Sequence, residues 1–189
     1  MTTAQLFQPF GVDIDLITGA MSNPDNHIVR KASAMRGYYA DEAALEKLIA
    51  DGDDPVHYEV FERTIPEEQG HLLFCISKLY PGRVGDECFM TKGHYHTIAH
   101  TAETYLCIAG EGYMMCKTSE GEWDAQRMVR NRMVYVPPMW AHRSINTGDE
   151  PLISFCVYPA DAGHNYGDIA TEGFPRRVFI RNGEEVIAP

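Results

Sequence analysis

The chain has 189 residues, of which 44% are hydrophobic, which is enough for one domain with a substantial core but cramped for two. Its 16 basic against 27 acidic residues give a formal net charge of -11, which argues against nucleic acid and anionic membrane surfaces as partners. No stretch approaches the roughly 20 apolar residues that span a bilayer, and the opening MTTAQLFQPF lacks the charged and apolar regions of a secretion signal. We therefore expect a soluble, cytoplasmic protein.

The first part of the chain carries the helical patterns, and we predict an N-terminal extension over residues 1–55. The segment DEAALEKLIADG predicts a helix over 41–51, capped by Asp41 and stopped by Gly52. A weaker helical pattern, HIVRKASAM, lies at 27–35. Both precede the strand-rich part, so we expect them to pack outside the barrel or on a partner chain.

The rest of the chain consists of short apolar or alternating runs separated by Gly, Pro, Asn and Asp. This pattern predicts an all-β fold, an antiparallel barrel or sandwich over 56–189 that ends in a C-terminal strand. With the extension it makes a single domain over 1–189. The eight runs are VHYEVFERTI, LLFCISKLY, AETYLCIAG, GYMMCKT, RMVYVPP, HRSIN, LISFCVY and RRVFIR.

The turns in this part have their own chemistry. SEGE at 119–122 and NTGDE at 146–150 separate strand-like runs, so we expect chain reversals there. Gly110 and Gly112 suit positions where positive φ or close backbone approach costs little.

Five cysteines are scattered without a close pair, and an odd number cannot all pair within one chain. None has the CxxC spacing of a thiolate zinc site. We predict reduced thiols in a reducing compartment, with at least four of the five acting as small apolar core residues on strands.

The sequence Gly-His-Tyr-His at 93–96 carries the strongest functional signal. In an extended strand, residues two apart point to the same face, so His94 and His96 can present both imidazoles to one point. Glu103 follows at a distance that allows a tight turn and a return strand, which would bring its carboxylate back beside them. His142, after a strand that ends in Pro-Pro, would complete a set of four ligands.

Imidazole nitrogens and a carboxylate suit iron, manganese, nickel or zinc. We predict one divalent metal ion per chain, Fe2+ in preference to Mn2+, Zn2+ or Ni2+. His100 is an alternative ligand, but we expect it near a hairpin tip in water. A His-x-His pair can also arise by chance on an exposed strand; the carboxylate at hairpin distance and the distant histidine weigh against that here.

The spacing G-x5-HxH-x6-E-x6-G resembles the first cupin motif, and the second appears as Pro137, Met139, His142 and Asn146. Met139 replaces the motif glycine, so this turn must form without glycine's conformational freedom. The resemblance implies the cupin double-stranded β-helix, a small barrel of the jelly-roll type with a three-histidine, one-glutamate metal site. Here it would carry one or two short N-terminal helices.

A narrower resemblance runs from about residue 10 to about residue 173. The strings DPVHYEV, LYPGRVG, TKGHYH, AETYLCIAGEG, VYVPPMWAHRSINTGDEP and YPADAGHNYG are similar to those of the cupin-type phosphoglucose isomerases. This family is metal-dependent. The resemblance implies interconversion of glucose 6-phosphate and fructose 6-phosphate. It assigns the metal ligands to His94, His96, Glu103 and His142. It assigns substrate contacts to Tyr58, Thr91, Gly93, Tyr105, Tyr158, His164 and Tyr166, and phosphate binding to Ser77, where the family often has threonine.

A sugar phosphate needs a local positive field in a protein of this charge. Lys92, the backbone N–H of Gly93 and the hydroxyls of Thr91 and Ser77 could supply phosphate contacts, although Lys92 fits a solvated strand edge equally well. For Arg143 we expect a salt bridge. The partner is thus a small-molecule sugar phosphate, and we expect a symmetric homodimer, chiefly from the family resemblance.

The chemistry of the isomerisation assigns further roles. We predict that Glu103 shuttles a proton through a cis-enediol while Tyr105 orients a sugar oxygen, with a metal-assisted hydride shift as the competing route. His164 could hydrogen-bond a sugar hydroxyl or assist ring opening. Two other classes share the ligand set: an oxygen-using cupin oxidase or dioxygenase, and a non-catalytic sugar-binding cupin.

Overall fold

The computed structural model describes residues 6–189, so the start of the extension predicted over 1–55 lies outside the described residues. Antiparallel strands dominate this part of the chain. The strands are β1 (Asn26–Lys31), β2 (Val56–Glu62), β3 (Leu72–Leu79), β4 (Arg83–Val84), β5 (Glu87–Cys88), β6 (Glu103–Ala109), β7 (Glu111–Lys117), β8 (Trp123–Val129), β9 (Met133–Val136), β10 (Ala141–Asn146), β11 (Leu152–Pro159), β12 (Arg177–Arg181) and β13 (Glu184–Ala188). The helices are α1 (Glu42–Asp51), α2 (Gly167–Glu172) and a 3₁₀ turn (Ala32–Met35).

The strands form three antiparallel sheets. The largest has the order β1-β2-β3-β11-β6-β9, the second β10-β7-β8 and the third β13-β12-β5-β4. Isolated bridges from Met90 to Ile145 and from His94 to His142 add the segment 90–94 to β10 at the edge of the second sheet. The inner faces of all three sheets contribute to one core cluster, which confirms the all-β cupin barrel.

Alternating burial on β6 shows how the sequence builds this barrel. Glu103, Tyr105 and Cys107 are buried, whereas Thr104 and Leu106 between them are only half-buried. The period of two points alternate residues into the barrel. The outer face of the six-stranded sheet is also apolar, and Ile76 and Ile153 there pack with residues of the N-terminal segment such as Met21.

The predicted N-terminal helix is confirmed. Asp41 Oδ1 accepts a hydrogen bond of 2.8 Å from Ala44 N, and the N–H of Gly52 donates to Leu48 O at 2.9 Å. Leu45 is fully buried against the core.

The weaker helical pattern over 27–35 is wrong for most of its length, because β1 occupies Asn26–Lys31 and only the 3₁₀ turn follows. Ile28 and Val29 are β-branched and suit a strand, and pairing with β2 fixes them in that form.

The predicted strands and turns are confirmed. Each of the eight runs contains a strand, and reversals occupy 118–122 and 147–151. Gly110 has φ +74°, and a side chain on Gly112 would collide with the carbonyl of Ile145. All five cysteines are free, buried and on strands, as predicted. Within residues 6–189, every helix is too short or too polar to cross a membrane.

Candidate metal centre and substrate cavity

Four side chains from three segments of the chain converge inside the barrel. His94, His96, Glu103 and His142 each offer one ligand atom, and these atoms lie within 4.8 Å of one another. Glu103 Oε2 lies 3.2 Å from His96 Nε2 and 2.9 Å from His142 Nε2. Glu103 and His142 are almost completely buried, whereas His94 is half-buried towards the cavity.

Backbone pairing positions these ligands. His94 N donates to His142 O at 3.2 Å and His142 N donates to His94 O at 3.1 Å, so the two motifs are bridged directly. The regular strand expected for 94–96 is wrong, since only isolated bridges occur there. Gly93 makes this approach possible: its φ is +76°, and a Cβ would lie 3.0 Å from His142 O.

Neighbouring groups orient the imidazoles. His96 Nδ1 lies 2.8 Å from Thr101 Oγ1, and this contact turns Nε2 towards Glu103. Met139 adopts φ +73° and donates its N–H to Ala99 O at 2.8 Å, which ties the turn before His142 to the loop after His96. The motif position therefore keeps glycine's left-handed conformation although it carries a side chain.

The buried polar atoms of this cluster fit a cation. His94 Nε2 is shielded from water and has no hydrogen-bond partner among the described residues. A buried nitrogen of this kind is costly unless something binds it. A metal ion among three imidazoles and one carboxylate would satisfy it, and the donor set suits a first-row transition metal.

The charge states suit the same role. Burial alone would raise the pKa of Glu103, but hydrogen bonds with His142 and His96 outweigh it and hold the pKa well below its usual range. Burial, reinforced by the neighbouring histidines, holds the pKa of His94 well below its usual value. The cluster thus combines an ionised carboxylate with a neutral imidazole, the forms that ligate metals.

A cavity of about 290 Å³ opens beside the cluster. Its walls include Glu103, His94 and every residue predicted to contact substrate: Tyr58, Ser77, Thr91, Lys92, Gly93, Tyr105, Tyr158, His164 and Tyr166. His96 and His142 are buried and do not line the cavity. The exposed His100 lies outside it, as expected.

The six-stranded sheet forms one wall of this cavity. Tyr58 on β2, Ser77 on β3, Tyr105 on β6 and Tyr158 on β11 are all buried and all line it. Burial, followed by the charge of Glu103, raises the pKa of Tyr105 well above its usual value, so this phenol stays a neutral hydrogen-bond donor.

His164 and Tyr166 form the exposed rim of the cavity. Their rings are stacked with centroids 5.9 Å apart, and the ring of His164 lies 4.5 Å from that of His94. The loop that carries them is held by Asn165, which exchanges backbone hydrogen bonds of 2.8 and 3.1 Å with Tyr95. This places His164 beside the metal cluster.

The salt bridge expected for Arg143 is wrong. Arg143 is buried, its guanidinium lies 4.0 Å from the centre of the Phe174 ring, and it donates to Lys92 O at 3.2 Å. No carboxylate of the described residues lies within 4.0 Å of it. It supports the backbone of the segment that leads into the metal motif.

Several charged or thiol side chains that line the cavity carry no signal in the sequence. Arg30 lines the cavity from β1, Glu62 from β2, and Cys75 and Cys156 from adjacent positions of β3 and β11. The sequence of β1 lies within a helical pattern, so it does not reveal the strand pairing that places Arg30 opposite Tyr58.

An antiparallel barrel with three histidines and one glutamate gathered inside it defines a cupin whose cluster could hold a divalent metal ion. The sequence model of the family described as glucose-6-phosphate isomerase matches residues 29–188. The chain therefore belongs to the glucose-6-phosphate isomerase family.

Individual relatives agree over nearly their whole length. The glucose-6-phosphate isomerase of Thermococcus litoralis is 49% identical over 95% of this chain and 94% of its own. Those of Thermococcus gammatolerans and Pyrococcus furiosus are 50% and 46% identical over 94% of this chain and over 92% and 93% of theirs. Among solved structures, oxalate decarboxylase from Bacillus subtilis is similar over 56% of this chain and 26% of its own at 21% identity, with a TM-score of 0.44.

Proposed function

We propose that this protein is a glucose-6-phosphate isomerase that interconverts glucose 6-phosphate and fructose 6-phosphate. One observation carries the proposal. All nine residues that the family resemblance or the phosphate chemistry predicts to contact substrate line one cavity beside the His/Glu cluster. A volume of about 290 Å³ is near the lower end of small-molecule pockets and suits one small polar ligand.

We propose His94, His96, Glu103 and His142 as the ligands of one divalent metal ion, Fe2+ in preference to Mn2+, Zn2+ or Ni2+. Bound there, the ion would supply Lewis-acid stabilisation of charge on the sugar oxygens. The fit of the buried donor atoms supports this assignment.

The isomerisation requires a base beside C1 and C2 of the open-chain sugar. In our proposal the Glu103 carboxylate removes a proton from C1 of fructose 6-phosphate, the C1–C2 double bond forms, and O2 takes up a proton from solvent to give the cis-enediol. The O1 hydroxyl then returns a proton to solvent while C2 receives the proton held by Glu103, and the aldehyde of glucose 6-phosphate results. Tyr105 lies two residues on along the same face of β6, so its hydroxyl can orient a sugar oxygen during both transfers.

The remaining cavity residues hold the sugar chain. Tyr158, His164 and Tyr166 lie close to His94 or His96 and are proposed to contact hydroxyls near the reacting end. Tyr58, Ser77, Thr91, Lys92 and Gly93 are proposed to bind the phosphate. Thr91 is held in place because its Oγ1 accepts a hydrogen bond of 3.1 Å from Ser144 N.

A coupled assay of metal-loaded protein tests the function. Conversion of fructose 6-phosphate to glucose 6-phosphate is followed through reduction of a nicotinamide cofactor by a coupling dehydrogenase, with oxygen uptake recorded in the same samples. We expect isomerisation without oxygen uptake. Oxygen consumption would favour the oxidase or dioxygenase alternative, and substrate binding without turnover would favour the sugar-binding one.

Isomerisation in deuterated water tests the proton route. Transfer through Glu103 allows exchange with solvent, so we expect deuterium at C2 of the product. Complete absence of deuterium at C2 would exclude this route and support the competing hydride shift between C1 and C2.

We also propose a homodimer in the cytoplasm. The exposed apolar side chains of Leu16 and Ile17 in the N-terminal segment and of Leu72 on β3 support a dimer contact. The five buried free thiols support a reducing compartment. Light scattering on the eluting protein tests the dimer, and a mass of one chain would contradict it.

A further inference from the structure

Arg30 is a cavity residue that the proposed chemistry has not used. It lies near the end of β1, an edge strand, directly opposite Tyr58 on β2. Its side chain is half-buried and lines the cavity together with Thr91, Lys92 and Gly93.

The guanidinium of Arg30 has no counter-ion in the part of the chain that the structure describes. No carboxylate of residues 6–189 lies within 4.0 Å of it, and the same holds for the ammonium of Lys92, which lies 5.2 Å from the centre of the Tyr38 ring. After burial, the charge of Arg30 is the second cause that lowers the pKa of Lys92, so the two cations act on each other. By contrast Arg63, the other arginine of this cavity, is paired with Asp25 at 3.2 Å.

Two like charges beside one cavity, without a carboxylate between them, create a site for an anion. A bound dianion would offset their mutual repulsion, and a guanidinium can donate hydrogen bonds to two phosphate oxygens at once. We propose that Arg30 and Lys92 bind the phosphate group of the substrate, and that Arg30 determines selectivity for phosphorylated over neutral sugars. This deepens the proposed isomerase function and rests on it for the identity of the substrate.

An acidic side chain lies further along β2 and disfavours phosphate at that end of the cavity. Glu62 lies four residues after Tyr58 on β2, about 13 Å along the strand, and lines the same cavity. Phosphate at that end would meet a carboxylate instead of two cations. We therefore orient the substrate with its phosphate at Arg30 and with C1 and C2 at Glu103, where the reaction requires them.

Steady-state kinetics of Arg30→Met test the proposal. A charge-assisted contact made equally in the ground and transition states changes binding and not turnover. We expect the KM for fructose 6-phosphate to rise about 10- to 100-fold with kcat within about threefold, and the inhibition constant of inorganic phosphate to rise by a similar factor. Arg30→Lys keeps the charge and is expected to recover part of the loss. Arg63→Met, the matched control, removes an arginine already paired with Asp25 and should leave both constants within about twofold.

Two further measurements separate this proposal from the function on which it rests. If the wild-type protein shows no isomerisation, that function fails, while calorimetry with inorganic phosphate still decides the role of Arg30. If Arg30→Met binds inorganic phosphate with the wild-type affinity, the proposal is overturned. Phosphate that binds at the metal and not at Arg30 would give this result. If Arg30→Met does not fold, Arg30→Gln at this edge-strand position provides the same comparison. Reduced selectivity for fructose 6-phosphate over fructose supports the proposal, and unchanged selectivity contradicts it.

Discussion

His57 is expected to make the stability of this protein sensitive to mild acid. It lies fully buried on β2, with Nε2 2.9 Å from the hydroxyl of Tyr39 and its ring 3.7 Å from that of Phe89. Burial lowers the pKa of His57 from 6.5 to about 4. The folded protein therefore holds a neutral imidazole at pH values where the unfolded chain takes up a proton.

The size of the effect follows from these two pKa values. Between pH 6.5 and 4 the unfolded state binds more protons than the folded state. The contribution of neutral His57 to the free energy of unfolding is therefore fully present above this window and is lost as the pH decreases through it. At pH 5.5 the loss attributable to His57 is about 1.4 kcal/mol, and at pH 4 it is about 3 kcal/mol.

Urea unfolding of metal-free protein at pH 7 and pH 5.5 measures this loss. His57→Gln is less stable at pH 7, because it loses ring contacts with Phe89, but its decrease between the two pH values should be smaller than the wild-type decrease by about 1.2 kcal/mol. The comparison cancels the pH-dependent contributions of all other groups, which are common to both proteins. His100→Gln, the control at an exposed site, should keep the wild-type slope. Equal pH dependence in the wild type and His57→Gln would refute the reasoning.

Two other substitutions test the site and its supporting turn. Met139→Gly relieves a left-handed conformation that costs a residue with a side chain about 1–2 kcal/mol, partly offset by the greater freedom of glycine in the unfolded chain, so urea unfolding should show a gain of about 0.5 kcal/mol. Met133→Gly, on a strand, should lose stability, and a loss for Met139→Gly as well would contradict the strain argument. His164→Asn should lower kcat/KM at least about tenfold with metal content unchanged by elemental analysis; loss of the metal would show that its role is wrong.

The fold could be predicted where local pattern and tertiary packing agree. The eight apolar runs became strands because each can place alternate residues in the core, as Glu103, Tyr105 and Cys107 do. β8, with the sequence WDAQRMV, was missed because its exposed, polar side chains give no such signal, and only pairing with β7 makes it a strand.

The candidate metal cluster could also be predicted from the spacing of the two motifs, although a direct bridge between His94 and His142, and not a hairpin, brings the motifs together. The contacts of the residues around the cluster could not be predicted. Arg143 has a buried aromatic and backbone environment instead of a carboxylate, and Arg30 reaches the cavity only because β1 pairs with β2. Both facts depend on contacts between segments that are distant in sequence, about which local pattern carries no information.

Removal and replacement of the metal test the central claim most directly. Protein stripped with a chelator and then given one equivalent of Fe2+ per chain is assayed for conversion of fructose 6-phosphate to glucose 6-phosphate, alongside His142→Ala treated in the same way. We predict no conversion by the stripped protein, recovery at one ion per chain, and neither metal binding nor recovery in the variant. Full isomerase activity in the stripped protein, or recovery in His142→Ala, would contradict the account.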